Sequence, residues 1–586
     1  MAATRGRNPQ TRAPREIGAI RKSGIQRLKI ALVYPNVYHV GMSNLGLQTV
    51  YRLFNAMPDV ACERFFLPDT SNGPALLSVE SRRTLKDFDI ISFSIAYEND
   101  YANLLFILHR AGLPLSAADR GPPLPLVAAG GVTVFLNPEP IAPFIDLFLI
   151  GEAEAIVAPL VECALVTGLG DPGQQRRFLD KAAAEVPGAY VPRFHQPVYA
   201  EDGTLAHVTH RPPALATVRR AVAGNFNADI AESVLITPDT TFGSTHLLEV
   251  SRGCPHGCRF CSAGFIYRPP RFRPVASLAK ALTRATAVTH KAGLVGAAVS
   301  DLPDIARLCR HAATEKIRLS FSSLRADALS PELIEALAQS GVKTATIAPD
   351  AGSQRMRRVI NKGLDQPAIL SAAEQLVAGG IPNLRLYFMV GLPTETEADI
   401  DAIVTLCKKI KHTFLASSRA RGRIGEITVS LSCFVPKPFT PFQWVAMDEQ
   451  RLLKAKIHTV KNGLKKVANM RVHADVPRWA YIQALLARGD RRVSHILLAA
   501  HTLRGNWPQA LKTAPVNPHF FVLREKAKAE RLPWDFIDHG IEKAYLWKEY
   551  QKALFGRTTP PCPMDTTTCH RCGVCGATPG AHCSDA

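Results

Sequence analysis

The chain has no apolar run of the roughly 18–20 residues that a membrane helix needs, which excludes a helical membrane protein. Its first 29 residues carry eight Lys or Arg against one acid and no apolar segment, so they are not a secretory signal. They read as a disordered basic arm, 1–27, with an organellar presequence as the alternative. Acids are scarce: 50 Asp and Glu against 70 Lys and Arg leave a formal charge of +20. That excess suits a polyanionic partner, RNA first, or else is solvated surface arginine. A hydrophobic share of 47% gives no sign of wholesale disorder, and 586 residues are too many for one core. Disulfides are not expected. Of 13 cysteines, three lie within 254–261 and five within 562–583, a clustering that points to metal ligation in a reducing, cytoplasmic setting.

Residues 251–273 read SRGCPHGCRFCSAGFIYRPPRFR. Cys254, Cys258 and Cys261 stand in C-x3-C-x2-C spacing, with Phe260 just before the third. Three thiolates can hold three corners of a cubic 4Fe-4S cluster, and the loop lacks a fourth. The open iron would then do chemistry, as the open position of a catalytic zinc does. Gly253, Pro255 and Gly257 suit a loop wrapped closely around an inorganic core. A zinc loop or plain buried cysteines are the other readings. Zinc would need a fourth ligand nearby, and His256 sits too near the loop's centre to serve comfortably. In the tail, Cys562, Cys569, Cys572 and Cys575 form C-x6-C-x2-C-x2-C, with Cys583 beyond. Four thiolates close either a zinc site or a second cubane, and the tight repeat leans to iron–sulfur. Unliganded thiols remain the alternative. The other five cysteines read as small core residues.

Apolar runs at 28–33, 89–95, 125–129 and 146–150, with helical pattern at 45–55 and 103–110, predict a doubly wound parallel sheet over 28–170. Ligands of such sheets bind beyond the strands' carboxyl ends. A hairpin signal at Asp202-Gly203 marks a β insertion in a linking segment, 171–243. Strands at 246–251, 294–300, 317–322, 344–348, 385–390 and 426–434, with helices such as 275–289, 331–339 and 399–409 between them, predict a partial (βα)6 TIM-like barrel over 244–445. Chemistry in such barrels sits at the carboxyl ends. Residues 446–556 read as helical, at 450–467, 479–487, 493–502 and 518–530, followed by the Cys-rich tail, 557–586. The fold class is thus α/β: parallel sheet, partial barrel, helical C-terminal region, metal-binding tail. Basic blocks at 454–466 and 488–492, with His473, Trp479 and Tyr481, would contact an RNA loop by stacking and phosphate pairing, or else form a solvated face.

The cysteine loop with its aromatic resembles the signature of the radical S-adenosylmethionine (SAM) superfamily, and the strand–helix series resembles its barrel. The resemblance implies that SAM chelates the open iron and is cleaved reductively to a 5′-deoxyadenosyl radical. The electron would come from a small reductant protein such as flavodoxin or ferredoxin. It implies cofactor-binding positions too: Phe260 in the loop, and Asp301 for the SAM amino group unless it only caps a helix. Ser320 and Ser322, which share a strand face, with Ser323 and Arg325 nearby, would serve the ribose and carboxylate. Asp350 in PDAGS would serve a ribose hydroxyl, and Gly391 and Pro393 in YFMVGLPTE the adenine. VPKPFTPF, ending the sixth strand, would close over substrate or merely end the strand.

The N-terminal layout resembles the cobalamin-binding domain that precedes many radical SAM cores, on YPNVYHVGMSNLG, AAGGVTVFLNPE and IGEAE. Gly130 and Gly131 would let backbone approach the cofactor. The D-x-H-x-x-G motif is missing, since His39 and Gly41 lie in the right loop at the wrong spacing. The domain therefore holds cobalamin without a protein histidine, or is Rossmann-like and empty. The expectation is a radical SAM enzyme, with cobalamin-dependent methylation of an unactivated carbon as its reaction. An RNA-modifying factor without cobalamin and a non-catalytic iron–sulfur scaffold are the alternatives.

Overall fold

The computed structural model describes residues 15–22, 26–68, 75–322, 324–420, 422, 424–563, 565 and 569–575. The first strand, Leu28–Val37, is buried along nearly its whole length, as a parallel strand covered on both faces must be. Its alternate residues feed two cores. Ala31 and Val33 pack with Phe65, Ile91 and Phe93, while Ile30, Leu32 and Tyr34 pack with Leu47, Phe54 and Leu160. Six strands form the sheet, in the order Val60–Leu67, Leu28–Val37, Ile90–Ser94, Leu126–Gly130, Leu147–Leu149, Ala189–Tyr190. Only the last is antiparallel. The chain order reverses between Leu28–Val37 and Ile90–Ser94, and such a switch point opens a crevice at the carboxyl ends.

Three sequence expectations shift here. The edge strand Val60–Leu67 was hidden by its charged pair Glu63-Arg64. Arg64 is wholly buried and is neutralised by Glu80 at 2.6 Å and Glu16 at 2.7 Å. That contact also corrects the arm. Residues 15–22 are tied down, with Ile17 bridging Ile236 and Ile20 bonded to the Tyr51 hydroxyl, while 1–14 and 23–25 lie outside the described residues. The sheet domain also runs past 170, because helix Pro172–Glu185 leads into its sixth strand.

The barrel holds all six expected strands and one more. His246–Glu249, Lys291–Val295 and Arg318–Phe321 pair in parallel, as do Thr344–Asp350, Asn383–Val390, Ile427–Cys433 and Met470–Ala474. The second strand stops at Val295, and the chain then turns into a short helix, Val299–Asp301. The seventh, Met470–Ala474, lies between two expected helices, 450–467 and 479–487, in a region read as helical throughout. Its residues alternate, Arg471 and His473 toward solvent and Met470, Val472 and Ala474 half-buried, but the run is only five residues long. The helix expected over 518–530 ends at Val522.

The C-terminal region wraps back over both domains. Ile537–Asp538 pairs with Val218–Arg219, and Asn137 donates to the carbonyls of Ala487 and Gly489 at 3.1 and 2.7 Å. The basic block 488–492 is therefore inside. Arg488 is 0% exposed, and Arg491 pairs with Glu139 at 3.1 Å and donates to the Tyr190 hydroxyl at 2.8 Å. The Pro-rich turn after the sixth strand is also buried. Phe442 and Trp444 lie in the core and Lys437 pairs with Glu98 of the sheet domain, so the turn fastens two domains and is no lid. Among the described residues no helix is long and apolar enough to cross a membrane.

Candidate active site

The three-cysteine loop follows the first barrel strand and is closed at its base by a short antiparallel pair, Ser251–Arg252 with Arg271–Phe272. Gly253 has φ +87°, and a Cβ there would lie 2.7 Å from the Tyr267 carbonyl oxygen, so the turn requires glycine. Arg259 anchors the loop from within. It is 0% exposed and donates to the carbonyls of Arg358 and Val359 at 3.0 and 2.8 Å. Phe260 packs, half-buried, against the main core.

The thiols are close enough to feel one another. Burial lifts Cys254 to about 12, with the Cys258 and Cys261 thiols adding to the shift, and burial lifts Cys258 to about 11. Burial also raises Cys261, while the N–H groups of Ala263 and Gly264 bond its sulfur and pull the other way. The His256 N–H does the same for Cys254. Such donors favour thiolates, the form that binds iron. Among the described residues no three His, Cys, Asp or Glu side chains are placed to hold one metal ion. A cubane takes one thiolate at each of three separate irons, so the donor set fits a cluster.

Several candidates gather on this loop. His256 Nε2 meets Asp301 Oδ1 at 2.8 Å, and Asp301 Oδ2 is buried with no partner. Asp350, at φ +60°, pairs with Lys362 at 2.6 Å, and that lysine lies within electrostatic reach of Cys258. Arg325 faces Cys258 and Asp301 while bonded to Asp327 at 2.8 Å. Its backbone N–H donates to Ser300 Oγ at 3.1 Å. Ser320 and Ser322 instead donate to the carbonyls of Ala292 and Gly296 on the neighbouring strand side, at 3.4 and 2.9 Å; Ser323 lies outside the described residues. The Gly391 N–H is taken by Glu395 at 2.7 Å, and Pro393 follows, half-buried. Sequence reasoning missed Lys362 and set His256 aside. Neither carries a motif, since one lies a hundred residues from the loop and the other was judged only as a metal ligand.

A cavity of about 480 Å³ lies between sheet and barrel. The sheet contributes the carboxyl ends of its strands, including Ser92–Ala96, Gly130, Gly131 and Gly151–Glu154; the barrel contributes Glu249, Ser251, Arg252, Tyr267 and Val295. Gly131, at φ +107°, gives its room to protein: a Cβ would meet the Ile95 carbonyl oxygen at 2.3 Å. Glutamates and arginines fasten this wall. Arg252 meets Glu152 at 2.9 Å, Glu154 at 2.8 Å and Glu249 at 2.9 Å, and Arg271 also pairs with Glu152. Burial would raise Glu152, but Arg252 and Arg271 hold it below its ordinary value. Of the tail cysteines, Cys562 docks on the same loop, Cys569 and Cys572 lie within its electrostatic reach, and Cys575 follows three residues later. Cys583 lies outside the described residues. The five scattered cysteines, Cys62, Cys163, Cys309, Cys407 and Cys433, are buried thiols.

Residues 46–192 match the family described as radical SAM proteins, N-terminal, and residues 248–407 match the radical SAM superfamily. The chain is 29% identical over 470 residues to the uncharacterized protein MJ0966 of Methanocaldococcus jannaschii, across 80% of this chain and 90% of that one. It is 26% identical over 329 residues to the ribosomal protein uS12 methylthiotransferase RimO of Anaeromyxobacter sp. (strain Fw109-5), across 51% of this chain and 66% of that one. Among solved structures, the cobalamin-dependent S-adenosylmethionine radical enzyme OxsB with aqua-cobalamin bound aligns with a TM-score of 0.43 at 18% identity. That alignment covers 65% of this chain and 52% of the other, so the chain spans about half of OxsB. With one match over the sheet domain, one over the barrel, and three thiols on the loop after the first barrel strand, this chain is a member of the radical SAM superfamily of enzymes.

Proposed function

We propose that Cys254, Cys258 and Cys261 hold a 4Fe-4S cluster that binds SAM, that the cavity between sheet and barrel holds cobalamin, and that the enzyme methylates an unactivated carbon. When bound, the cluster supplies the electron that cleaves SAM and cobalamin supplies a methyl carrier. The observation that carries this reading is the shared cavity. One wall is made by the strand ends at the sheet's switch point, and the other by Ser251, Arg252 and Tyr267, which flank the three-cysteine loop. No histidine is among the cavity's lining residues, so the protein would offer cobalt no imidazole.

The chain's own share is placement. The unpartnered Asp301 Oδ2 offers a buried acceptor for the SAM ammonium, and an unmet buried carboxylate oxygen calls for such a donor. Arg325 suits the SAM carboxylate and Asp350 a ribose hydroxyl, once Lys362 shares or yields it. Anaerobic reconstitution with cobalamin tests the reading. A corrin band that stays with the protein and SAM cleavage abolished in Cys258→Ala are expected. Cleavage persisting in that variant overturns the cluster assignment, and a spectrum without corrin overturns the methylation.

A second reading, RNA as substrate, rests on helix Gln450–Leu464 and its end. There Lys454, Lys461, Lys465 and Lys466 are exposed together. Trp479 is open as well, whereas Tyr481 is buried against His519 and His473 lies in the seventh strand.

A further inference from the structure

The tail is seated on the active loop. Cys562 donates its backbone N–H to the carbonyl of Pro255, next to Cys254, at 2.8 Å. Asn361 clamps the two segments: its amide donates to the carbonyls of Gly257 and Thr559 at 3.1 and 3.0 Å and accepts from the Thr559 N–H at 2.8 Å. Arg259 reaches out of the loop to the Arg557 carbonyl at 2.7 Å and to Glu549 at 3.1 Å. Further on, the tail docks again, where the Glu542 N–H donates to the Cys572 carbonyl at 3.1 Å and Cys572 is 4% exposed.

Arg268 joins the cysteine loop, through the Gly264 carbonyl, to the tail thiols of Cys562 and Cys572. It is 5% exposed, donates to the Gly264 carbonyl at 2.7 Å and the Tyr545 hydroxyl at 3.2 Å, and lies over the rings of Phe265 and Tyr545. Its guanidinium is a permanent cation, and the Cys562 and Cys572 sulfurs lie within its electrostatic reach. Among the described residues no carboxylate forms an ion pair with it; its neighbours are the Gly264 carbonyl, the Tyr545 hydroxyl and the Cys562 and Cys572 sulfurs. A buried cation left without an anion is costly.

We propose that Cys562, Cys569, Cys572 and Cys575 ligate a second iron–sulfur cluster, a four-thiolate anion whose charge Arg268 balances, and that electrons enter the first cluster through it. Four protein thiolates leave no open iron, so this centre carries electrons and does not bind SAM. Three of the thiols are half-exposed, as contact with a one-electron carrier protein requires. In each passage the reduced carrier loses one electron, the second cluster gains it and passes it on, and no bond forms. The path is short: the Cys562 N–H and the Pro255 carbonyl join the ligand backbones through one hydrogen bond. The electron role rests on the radical SAM reading; the site itself does not.

Iron and sulfide counts on the full chain, reconstituted anaerobically, test the site. About eight irons per chain are expected, falling to about four in Cys569→Ala/Cys572→Ala and to about four in Cys254→Ala/Cys258→Ala/Cys261→Ala. The second variant keeps its iron even if the first cluster has been misassigned, so the two readings fail separately. EPR of the reduced wild type is expected to show spin coupling that either variant removes. Arg268→Gln is expected to lower the midpoint potential of the tail cluster, because a nearby cation stabilises the reduced form; an arginine that only packs would leave the potential unmoved. A wild type with about four irons and one zinc overturns the proposal, as does a tail variant that retains all its iron.

Discussion

Asp301 shows how one side chain is readied for a ligand. His256 takes one carboxylate oxygen and burial strips water from the other. Losing a buried charged acceptor costs about 1.5–3 kcal/mol, which is roughly a ten- to hundredfold loss of affinity. Asp301→Asn is therefore expected to weaken SAM binding by that factor in equilibrium dialysis while the iron content stays unchanged. Unchanged affinity would remove Asp301 from the SAM site. The residue was legible in the sequence as an acid at the end of the second barrel strand. Its pairing with His256 was not, because 45 residues separate them and only the pairing of the first two barrel strands brings them together.

Elements are fastened to the site by buried charges. Asp399, in the first turn of helix Glu397–Ala420, accepts from Ser353 Oγ at 2.5 Å and from the Thr396 N–H and hydroxyl at 2.9 and 2.7 Å, and pairs with Arg355. This ties the PDAGS turn, and with it Asp350, to the helix. Burial would raise the Asp399 carboxyl, but these donors hold it down to about 2 from 3.8. A depressed carboxyl stabilises the fold above 3.8, and the contribution is lost as pH falls toward 2. Asp399→Asn is expected to cost about 1–2 kcal/mol at pH 7, since Arg355 is half-exposed, and the gap in melting temperature should close across that acid window. A gap independent of pH would refute the assignment.

Arg259 makes a stronger link, joining the cysteine loop, the end of helix Gln354–Val359 and the tail at Arg557. Its removal leaves the Arg358, Val359 and Arg557 carbonyls without their donor and costs Glu549 one of three partners, Lys552 and Thr559 being the others. Arg259→Ala should destabilise the chain by about 3–5 kcal/mol in denaturant unfolding and lower the iron content of both cysteine sets. Normal stability would mean that the loop stands without this anchor. The strands that carry these anchors were mostly legible, because continuous apolar runs bounded by Gly and Pro admit few alternatives. The strands at Val60–Leu67 and Met470–Ala474 were not. Each carries charges that only its neighbours neutralise or that face solvent.

Across the whole molecule, charge separates the two readings of the substrate. The basic block 488–492 is spent on contacts between domains, whereas the lysines around helix Gln450–Leu464 remain open. If RNA is the substrate, reversing Lys461, Lys465 and Lys466 to Glu is expected to weaken RNA binding by an order of magnitude or more. It should also flatten the salt dependence, as expected when about three phosphate contacts are lost. Unaltered binding in a salt titration would leave the charge of +20 as solvated surface.

The sequence by itself determined the chemistry on offer: three thiols in a spacing that would leave one iron of a bound cubane open, four more in the tail, and strand–helix alternation that favours parallel sheets. These are local properties, set by ligand spacing and by which residues can be buried on both faces of a strand. Tertiary structure decided which of those groups meet. It laid the tail on the active loop, turned a basic block inward, and opened one cavity between sheet and barrel. Contacts of that kind join residues tens to hundreds of positions apart, and their energy is realised only when two surfaces come together and exclude water.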